Sequence, residues 1–439
     1  MIQTLVPFYQ KRLVLVLMAF LLLSQLAVAA GSGQQSKRYP VTAYGAKGDG
    51  QTLNTKAIQK AIDKCAAKGG GVVVIPKGTF VSGSVFLKKN VSLEIKKDGI
   101  LKGSVNQEDY PQVQTRWEGT ERMFTAALLN AENLDGISLT GPGTIDGSGE
   151  VWTARARQHR EQQQQQNTTP TPGQRLGRPR LISIQKCSNI RIQNLKLLNQ
   201  AVWGLHILYS ENVDVENLLI RAEHNIPSSN GIDIDSSKKV RVSGCDIDVN
   251  DDCISIKSGK DEDGLRVNRP SEDIIIESCR FGYGHGGVAM GSETSGGIRN
   301  VEVRNCVAEA DNWAPIRFKS QPSRGGVVEN ITFRNIKVND TRKAVEFNMA
   351  WHMVPPIKPP AKVLPVVRNV QLIGITGTAS RVGDIRGLPD SPIQGVTFRD
   401  CHIVAEKGLL VEHVTNLDTS GLKLEVKQGP EIIHPNTAK

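Results

Sequence analysis

Side chains able to move protons are grouped in the middle of the chain. Two adjacent carboxyl groups stand at Asp251 and Asp252, and a histidine flanked by glycines stands at His285. A pair of cations follows at Arg317 and Lys319. Two carboxyl groups can divide acid and base roles between them, while Arg binds a carboxylate with two donors and Lys binds it as a point charge. The set predicts acid–base chemistry on an acidic ligand.

Each of these motifs is weak by itself. An Asp-Asp pair usually occupies a solvated turn, and an Arg-x-Lys sequence on a strand usually faces water. Here the motifs follow successive copies of a repeat, and in a stacked solenoid residues about one coil apart lie above one another. The spacing therefore predicts that they converge on one face, with an acidic centre beside a basic flank.

The repeat reads apolar, any, apolar, any, small or polar, and then Cys, Leu or Ile. Its copies begin at Ile190, Val213, Val240, Ile274, Val301, Ile331, Val370 and Val396, with a weaker copy at Ile137. They start 23 to 39 residues apart, a spacing typical of solenoids, and their period of two predicts strands with one buried face. Because no helical period separates the copies, we predict an all-β parallel β-helix.

Four of the seven cysteines fill the sixth position of the repeat. They are Cys245, Cys279, Cys306 and Cys401. We expect them to be free thiols that act as small apolar members of an internal stack. No Cys-x-x-Cys or His-rich spacing accompanies them, so they do not predict a metal site.

The N-terminal part of the solenoid needs a cover, because a parallel repeat exposes apolar surface at its ends. Asn54-Thr55 is followed by apolar residues at helical spacing, namely Ala57, Ile58, Ala61, Ile62 and Cys65. This pattern predicts a capped amphipathic helix, which Gly69–Gly71 ends. We expect the helix to cap the first coil.

The first residues of the chain have the order of a secretory signal peptide. Lys11 and Arg12 precede a short apolar run, and small residues follow it. We divide the chain into a signal peptide at 1–30, a short linker at 31–37 and a single β-helix domain at 38–439, with an exposed loop insertion at 150–180. The mature protein is then secreted or periplasmic, without a stable membrane anchor.

The composition indicates an acidic partner. The formal net charge is +10 at pH 7, which suits nucleic acid, anionic lipid or an acidic polysaccharide. The basic residues are scattered and aromatic residues make up only 5% of the chain. Few rings are therefore available to stack on bases, and nucleic acid is disfavoured as a partner.

The sequence resembles the family 28 glycoside hydrolases, the polygalacturonases, within the pectin-lyase-like β-helix superfamily. The segment Tyr44–Gly50 resembles the opening of that family, and the resemblance runs from residue 38 to the last repeat. The family has the motifs Asn-Thr-Asp, Asp-Asp, Gly-His-Gly and Arg-x-Lys in that order. The last three are intact, as Asp251-Asp252, Gly284-His285-Gly286 and Arg317-Phe318-Lys319. The resemblance implies a right-handed parallel β-helix that hydrolyses galacturonate-containing pectic polysaccharide.

The resemblance also implies a role for each motif residue. In an inverting mechanism Asp251 protonates the departing glycosidic oxygen, its pKa being raised by the neighbouring carboxylate, while Asp252 holds the attacking water. His285 lies within hydrogen-bond reach of the acid, and Arg317 and Lys319 bind the galacturonate carboxylate. No metal or other cofactor is implied.

The first motif departs from the family pattern. The matching residues are Ser228, Ser229 and Asn230, so an amide stands where the family has a carboxylate. Asn230 can bind substrate or orient a water, but its amide does not accept a proton. Asp252 would then act as the base alone. The alternative is that nearby Asp233 replaces the missing carboxylate, although its position looks structural. We therefore expect a hydrolase with a reorganised base.

Two further stretches bear on the mode of action. Lys257–Gly264 and Gly291–Gly297 resemble bacterial members that remove galacturonate from chain ends, so we expect exo action. We also expect a monomer, because solenoids of this kind are often monomers. The first alternative is a pectate lyase, which would use calcium and give an unsaturated product. The second is a pectin-binding β-helix without turnover, for which Asn230 is the best support.

Overall fold

The six-residue repeat produces a solenoid of stacked parallel strands. The first residues of its eight clear copies lie above one another in hydrogen-bonded register, and all are buried. They are, in order, Ile190, Val213, Val240, Ile274, Val301, Ile331, Val370 and Val396. The predicted parallel β-helix is therefore confirmed.

The structure is a computed structural model that describes residues 37–165, 177–351 and 358–435, without the side chains of 163–165. Residues Tyr39–Lys439 form one compact unit. The predicted signal peptide at 1–30 and all but the last residue of the predicted linker lie outside the described residues, so both stay predictions. No helix in the described ranges is long and apolar enough to cross a membrane.

The fifth position of the repeat forms a corner of each coil. Its residues have φ between 51° and 65° in the eight clear copies, the left-handed region that suits Gly, Asn and Asp. They are Asn194, Asn217, Gly244, Ser278, Asn305, Asn335, Gly374 and Asp400. The small or polar residue in the repeat thus turns the chain and allows the sixth residue to point inward again.

Three parallel ladders run along the solenoid. The first contains Val85–Phe86, Leu129–Glu132, Ile182–Gln185, Leu205–Leu208, Ile232–Asp235, Asp252–Lys257, Gly286–Gly291 and Ile316–Lys319. The second contains Gly71–Ile75, Val91–Ile95, Ser138–Thr140, Ser188–Gln193, Glu211–Glu216, Lys238–Ser243, Ser271–Glu277, Val366–Ile373, Ile393–Arg399 and Val414–Asp418.

The third ladder contains Asp49–Leu53, Gly78–Ser82, Gly99–Gly103, Thr144–Asp146, Lys196–Leu198, Leu219–Arg221, Asp246–Asp248 and Arg280–Phe281. Five longer strands bend through a corner from one ladder into the next, namely Ile298–Ala308, Val327–Asn348, Thr376–Arg386, Cys401–Glu412 and Leu422–Ile433. Arg38–Pro40 pairs beside Gly71–Ile75, and Gln112–Trp117 with Thr120–Thr125 forms an antiparallel hairpin outside the ladders.

The interior is a continuous apolar column. The inward residues of all three ladders belong to one buried cluster, which gives each short strand the partners it needs above and below. The sixth-position cysteines Cys245, Cys279, Cys306 and Cys401 are buried in it, and all seven cysteines are free thiols. The predicted internal stack is confirmed.

The N-terminal helix is present but does not begin as predicted. It spans Thr55–Ala67 and buries Ile58, Ala61, Ile62 and Cys65 against the first strands. Asn54 does not cap it through its side chain, because that amide instead bonds the backbone N–H and carbonyl of Lys47. The role of the helix as a cap of the solenoid stays a prediction.

The predicted loop insertion at 150–180 is wrong in its first half, where an α-helix spans Gly149–Gln165. Between Glu150 and Gln165 the chain has neither Gly nor Pro and is rich in Gln, Glu, Arg and Ala, which have high helix propensity. Polarity alone led to the prediction of a loop. The first turn is anchored by Trp152, which is fully buried. A short helix also spans Asp261–Val267, and single 3₁₀ turns span Val41–Tyr44 and Gln107–Asp109.

Candidate active site

The predicted motif residues meet on the outward face of the first ladder. Ile232, Ile234, Ile254 and Ile256 point into the core, so the residues that alternate with them point outward. In register, Asp233 pairs with Ser255, Asp252 with Gly286, and Ala289 with Arg317. The structure thus brings Asp251, Asp252, His285, Arg317 and Lys319 together on adjacent coils, as the spacing predicted.

Gly286 explains why a glycine follows the histidine. A Cβ atom at this position would lie 3.1 Å from Oδ1 of Asp252 and 3.2 Å from Cδ of Arg317. A side chain there would therefore push apart two charged groups that the site keeps close.

Asp252 is held by the two motif cations. Nζ of Lys319 lies 2.5 Å from its Oδ2, and a terminal nitrogen of Arg317 lies 3.5 Å from its Oδ1. The Asp252 side chain is 1% exposed, a degree of burial at which a carboxylate needs such partners. Its backbone N–H donates to Oδ1 of Asp251 at 2.9 Å, which fixes the two carboxyl groups relative to one another.

Asp251 contacts His285, with Oδ1 and Nδ1 3.5 Å apart, and its side chain is 24% exposed. Burial alone would raise the pKa of Asp251, but the hydrogen bond from His285 and the charges of Lys319 and Lys257 outweigh it and lower the pKa. The predicted rise in the pKa of Asp251 is therefore wrong for the protein without substrate. The sequence showed the neighbouring carboxylate but not the number of cations around it.

Asn230 is buried next to Asp233 rather than free in the cleft. Its Nδ2 donates to Oδ1 of Asp233 at 2.9 Å. An amide has one donor end and one acceptor end, so this bond turns Oδ1 of Asn230 away from Asp233. Asn230 can then accept a hydrogen bond from a water, which is the part of the family role that an amide can perform.

Asp233 belongs to a buried charge cluster that the sequence did not predict. Nζ of Lys257 lies 3.6 Å from Oδ1 of Asp233 and 3.4 Å from Oε1 of Glu293. Burial raises the pKa of Asp233 well above its ordinary value, although Lys257 opposes the rise. Lys257 also lies 4.8 Å from the ring centre of Trp203. Lys257 and Glu293 lie in Lys257–Gly264 and Gly291–Gly297, the two stretches that resemble bacterial family members. That resemblance is the sequence feature by which this cluster could have been found.

Arg317 is shared between the carboxylates of Asp252 and Glu346. Its Nε donates to Oε2 of Glu346 at 2.7 Å, and its NH1 donates to the carbonyl of His285 at 2.9 Å. Its guanidinium also lies 4.7 Å from the ring centre of Trp351. Glu346 and Trp351 follow no motif of the sequence, and the structure alone identifies them as partners of the predicted substrate-binding cation.

The hairpin Gln112–Trp117/Thr120–Thr125 packs beside this face. Lys260 N–H donates to the carbonyl of Gly119 at 2.9 Å, and Glu121 N–H donates to Oδ2 of Asp263 at 2.9 Å. The rings of Trp117 and Trp203 lie 4.7 Å apart. The hairpin therefore packs both on the coil of Trp203 and on the segment that follows the strand Asp252–Lys257.

Buried charges anchor the hairpin to the solenoid. Arg116, which is fully buried, donates to Oδ1 of Asp235 at 2.7 Å and to Oγ of Ser236 at 2.8 Å. Arg180 donates to Nδ1 of His206, and Nε2 of His206 lies 3.5 Å from Oδ2 of Asp235. This arrangement fits a neutral His206 that accepts on one nitrogen and donates from the other.

His206 makes stability depend on pH. Burial and the charge of Arg180 lower the pKa of His206 to about 4, so the unfolded chain binds a proton at higher pH than the folded chain. Above the pKa of the unfolded chain, His206 is neutral in both states and the protein has its full stability. As pH falls towards the pKa of folded His206, only the unfolded chain takes up the proton, and the free energy of unfolding falls by about 3 kcal/mol between pH 7 and pH 4. We expect His206→Gln to flatten this part of the pH dependence, as measured by denaturant unfolding. His402→Gln, at a side chain that is 43% exposed, is the control and should follow the wild type. A His206→Gln curve as steep as the wild type would contradict the assignment.

The fold and the site together define a class of protein: a β-helix enzyme whose outward face holds paired carboxyl groups among cations. Residues 65–421 match the model of the glycosyl hydrolases family 28, and the chain belongs to this family. It is therefore a glycoside hydrolase, and its fold is the right-handed parallel β-helix.

Similar proteins cover most of the chain. A probable polygalacturonase of Vitis vinifera is 29% identical over 91% of this chain and 84% of its own length. An exo-poly-alpha-D-galacturonosidase of Dickeya chrysanthemi is 31% identical over 69% of this chain and 55% of its own length. The crystal structure of an exopolygalacturonase from Thermotoga maritima superposes with a TM-score of 0.79 at 28% identity, covering 89% of this chain and 92% of that one. Within the described part of the chain, no group of three His, Cys, Asp or Glu side chains could hold a metal ion.

Proposed function

We propose that this protein hydrolyses polygalacturonate from a chain end and releases single galacturonate residues. The observation that carries the exo mode is the hairpin, because it packs on the coils beside the catalytic motifs. In this proposal the hairpin stops a polymer from running past the site, so that its terminal sugar lies at Asp251. The names of the Dickeya and Thermotoga relatives support the same mode.

In the proposed reaction Asp251 is the general acid. Without substrate its pKa is lowered by His285 and by the charges of Lys319 and Lys257. A galacturonate carboxylate that pairs with Lys319 would offset part of that positive charge and move the pKa of Asp251 upward. Substrate binding would thus prepare the acid that protonates the glycosidic oxygen.

Asp252 and Asn230 hold the attacking water in this proposal. Asp252 accepts the proton of the water, and Oδ1 of Asn230 orients the water by accepting its other hydrogen bond. Attack opposite the departing oxygen inverts the configuration at the anomeric carbon. Arg317, positioned by Glu346, and Lys319 bind the carboxylate of the sugar beside the broken bond.

The proposal includes a place of action outside the cytoplasm. The signal-peptide pattern at residues 1–30 supports export of the protein to the periplasm or the medium. We propose that the mature protein acts there as a monomer, because a stacked solenoid completes its own core.

Incubation of the purified protein with polygalacturonate and with rhamnogalacturonan, each with and without EDTA, tests the reaction type. We expect reducing ends on polygalacturonate that resist EDTA, without ultraviolet absorbance from unsaturated ends. Absorbance that EDTA abolishes would establish elimination instead. Binding without any turnover would establish a pectin-binding protein.

Asn230→Asp tests the reorganised base. The variant places a carboxylate beside Asp233, whose Oδ1 accepts from Asn230 in the wild type, and on the coil next to Asp252, whose Oδ2 is held by Lys319. We expect kcat on polygalacturonate to rise by about tenfold, since general-base assistance contributes on the order of 10²- to 10⁴-fold. Initial rates over a range of pH measure the effect, with Ser228→Asp as the matched control. Unchanged activity on every pectic substrate would show that position 230 does not limit the base.

A further inference from the structure

The net positive charge of the chain is concentrated at the N-terminal end of the solenoid, although the basic residues looked scattered along the sequence. Residues 37–103, which end with the strand Gly99–Gly103, contain 13 Lys and Arg side chains but only four Asp and Glu side chains. Their formal charge of +9 is nearly the whole +10 of the chain. Because Lys11 and Arg12 add two charges, the residues after Gly103 have a formal charge of −1. The first coils are therefore strongly basic, and the rest of the solenoid is close to neutral.

Four of these cations form a line along the helix Thr55–Ala67. They are spaced four residues apart, and all four are exposed, while the other side of the helix is buried in the core. The four residues, called the lysine stripe below, are Lys56, Lys60, Lys64 and, directly after the helix, Lys68. At 3.6 residues per turn and 1.5 Å per residue, the stripe is about 18 Å long and turns by about 40° around the helix axis at each step.

The lysine stripe does not stabilise the helix that carries it. Like charges four residues apart repel one another, and Lys56 stands in the first turn, where the helix dipole disfavours a cation and no acidic residue is present. The acidic residue of the helix, Asp63, pairs with Lys88 outside the helix at 2.7 Å. Within the described part of the chain, no lysine of the stripe forms an ion pair. A destabilising row of charges without a partner in the fold indicates a contact with another molecule.

Exposed cations on the second ladder are arranged differently. Arg299 lies 2.6 Å from Glu272, and Arg368 lies 2.6 Å from Glu329. In both pairs the acidic residue is in register with the cation on the neighbouring coil. These coils balance exposed cations by stacking, and the lysine stripe has no such balance. Its four charges are therefore available to a ligand.

The lysine stripe lies far from the catalytic residues. The helix is fixed to the strand Val85–Phe86 by Gln59, which exchanges two hydrogen bonds of 2.9 and 3.0 Å with the backbone of Phe86. Val85–Phe86 and Asp252–Lys257 are five steps apart in the first ladder, which corresponds to about 24 Å at about 4.8 Å per step. A sugar at Asp251 therefore does not reach the stripe, and a ligand of the stripe occupies a separate site.

The shape of the stripe selects a linear ligand. Its charges wind through about 120° around the helix, so a flat surface meets only some of them at a time, whereas a flexible chain can follow them all. Lysine binds anions as a point charge without a fixed geometry, which suits repeated carboxylates. We propose that the lysine stripe binds a linear anionic polysaccharide outside the catalytic cleft and so keeps the enzyme on its polymeric substrate. The proposal rests on the polygalacturonase function above for the identity of that polymer.

The test is affinity electrophoresis of the full protein through gels that contain polygalacturonate. Every protein in the gels carries Asp251→Asn, so that the polymer stays intact, and excess digalacturonate occupies the catalytic site. In the stripe variant all four lysines are replaced by Gln, which keeps a high helix propensity. Exposed ion contacts are individually modest and weaken with salt. We therefore expect the apparent Kd of the stripe variant to be about tenfold higher at low ionic strength, and the difference to disappear at high salt.

Two control variants separate the stripe from net charge and from misfolding. The first removes the same charge from exposed lysines that are paired with Glu on other coils, as Lys186→Gln, Lys238→Gln, Lys423→Gln and Lys427→Gln. The second replaces the four lysines of the stripe by Arg and keeps their charge. Both controls should show the wild-type retardation. With Asp251 restored, the stripe variant should keep the wild-type kcat on digalacturonate.

Equal retardation of the stripe variant and the first control would overturn the proposal. Binding to vesicles of phosphatidylglycerol and phosphatidylcholine that depends on the stripe, with retardation in polygalacturonate that does not, would assign the stripe to a membrane instead and would also overturn it. The outcome is distinguishable from a failure of the proposed function. If the protein with Asp251 hydrolyses nothing and retardation still depends on the stripe, the stripe is supported and the hydrolase is refuted. If hydrolysis occurs and retardation does not depend on the stripe, only the stripe is refuted.

Discussion

Replacing Asp251 by Asn is expected to lower kcat on polygalacturonate by about 10³-fold, because the amide has no proton to give to the departing oxygen. The substitution keeps the size and nearly the shape of the side chain. It also removes an anion from a group of cations that includes Lys319 and Lys257. KM should therefore change much less than kcat, which initial rates over a range of substrate concentrations will show.

Asp273→Asn is the matched control for this variant. Asp273 is an exposed residue of the second ladder, where it accepts a hydrogen bond from Asn300, and the control should keep wild-type kcat. If Asp251→Asn retained more than about a tenth of the wild-type kcat, Asp251 would not be the general acid.

Arg116→Met is expected to reduce the free energy of unfolding by about 3–5 kcal/mol, the usual cost of removing one partner of a buried ion pair. Arg116 and Asp235 are both fully buried, with a nitrogen–oxygen distance of 2.7 Å. Burial would raise the pKa of Asp235, but Arg116 and His206 outweigh it and lower the pKa. Without Arg116 the carboxylate loses its main counter-charge. Denaturant unfolding at neutral pH measures the loss.

The same variant tests the hairpin as the closed end of the cleft. Because Arg116 anchors the hairpin, its loss should let oligogalacturonates longer than the monomer appear among the early products. The double variant Arg116→Met/Asp235→Asn removes both charges and should be less destabilised than the sum of the single variants. If the losses in the free energy of unfolding were additive, and if Arg116→Met still released only single galacturonate residues, the role of this pair would be contradicted.

The sequence was sufficient for the architecture because the signals were local and repeated. The eight aligned first residues, from Ile190 to Val396, and the left-handed fifth residues follow from the six-residue pattern. The same frame placed Asp251, His285 and Arg317 on adjacent coils. Stacking in register converts a distance along the sequence into a distance in space, and for this reason the motif residues could be assigned to one face.

Features outside the repeat could not be predicted in this way. The hairpin at 112–125 and its anchor Arg116 depend on contacts more than a hundred residues away, at Asp235. The helix Gly149–Gln165 was missed because its polar composition was taken as a loop signal. The direction of the pKa shift of Asp251 depends on Lys257 and Lys319 in three dimensions, which a count of neighbouring carboxylates in the sequence does not capture.

The most direct test of the exo-hydrolase is the product pattern from a saturated oligogalacturonate of defined length, sampled within the first turnovers and separated by anion-exchange chromatography. We predict galacturonate and the oligomer shorter by one sugar as the first products, in equal amounts and with saturated ends. A spread of intermediate oligomers from the first sample would show that the cleft is open, and unsaturated ends would show elimination. Either result would contradict exo-hydrolysis by this protein.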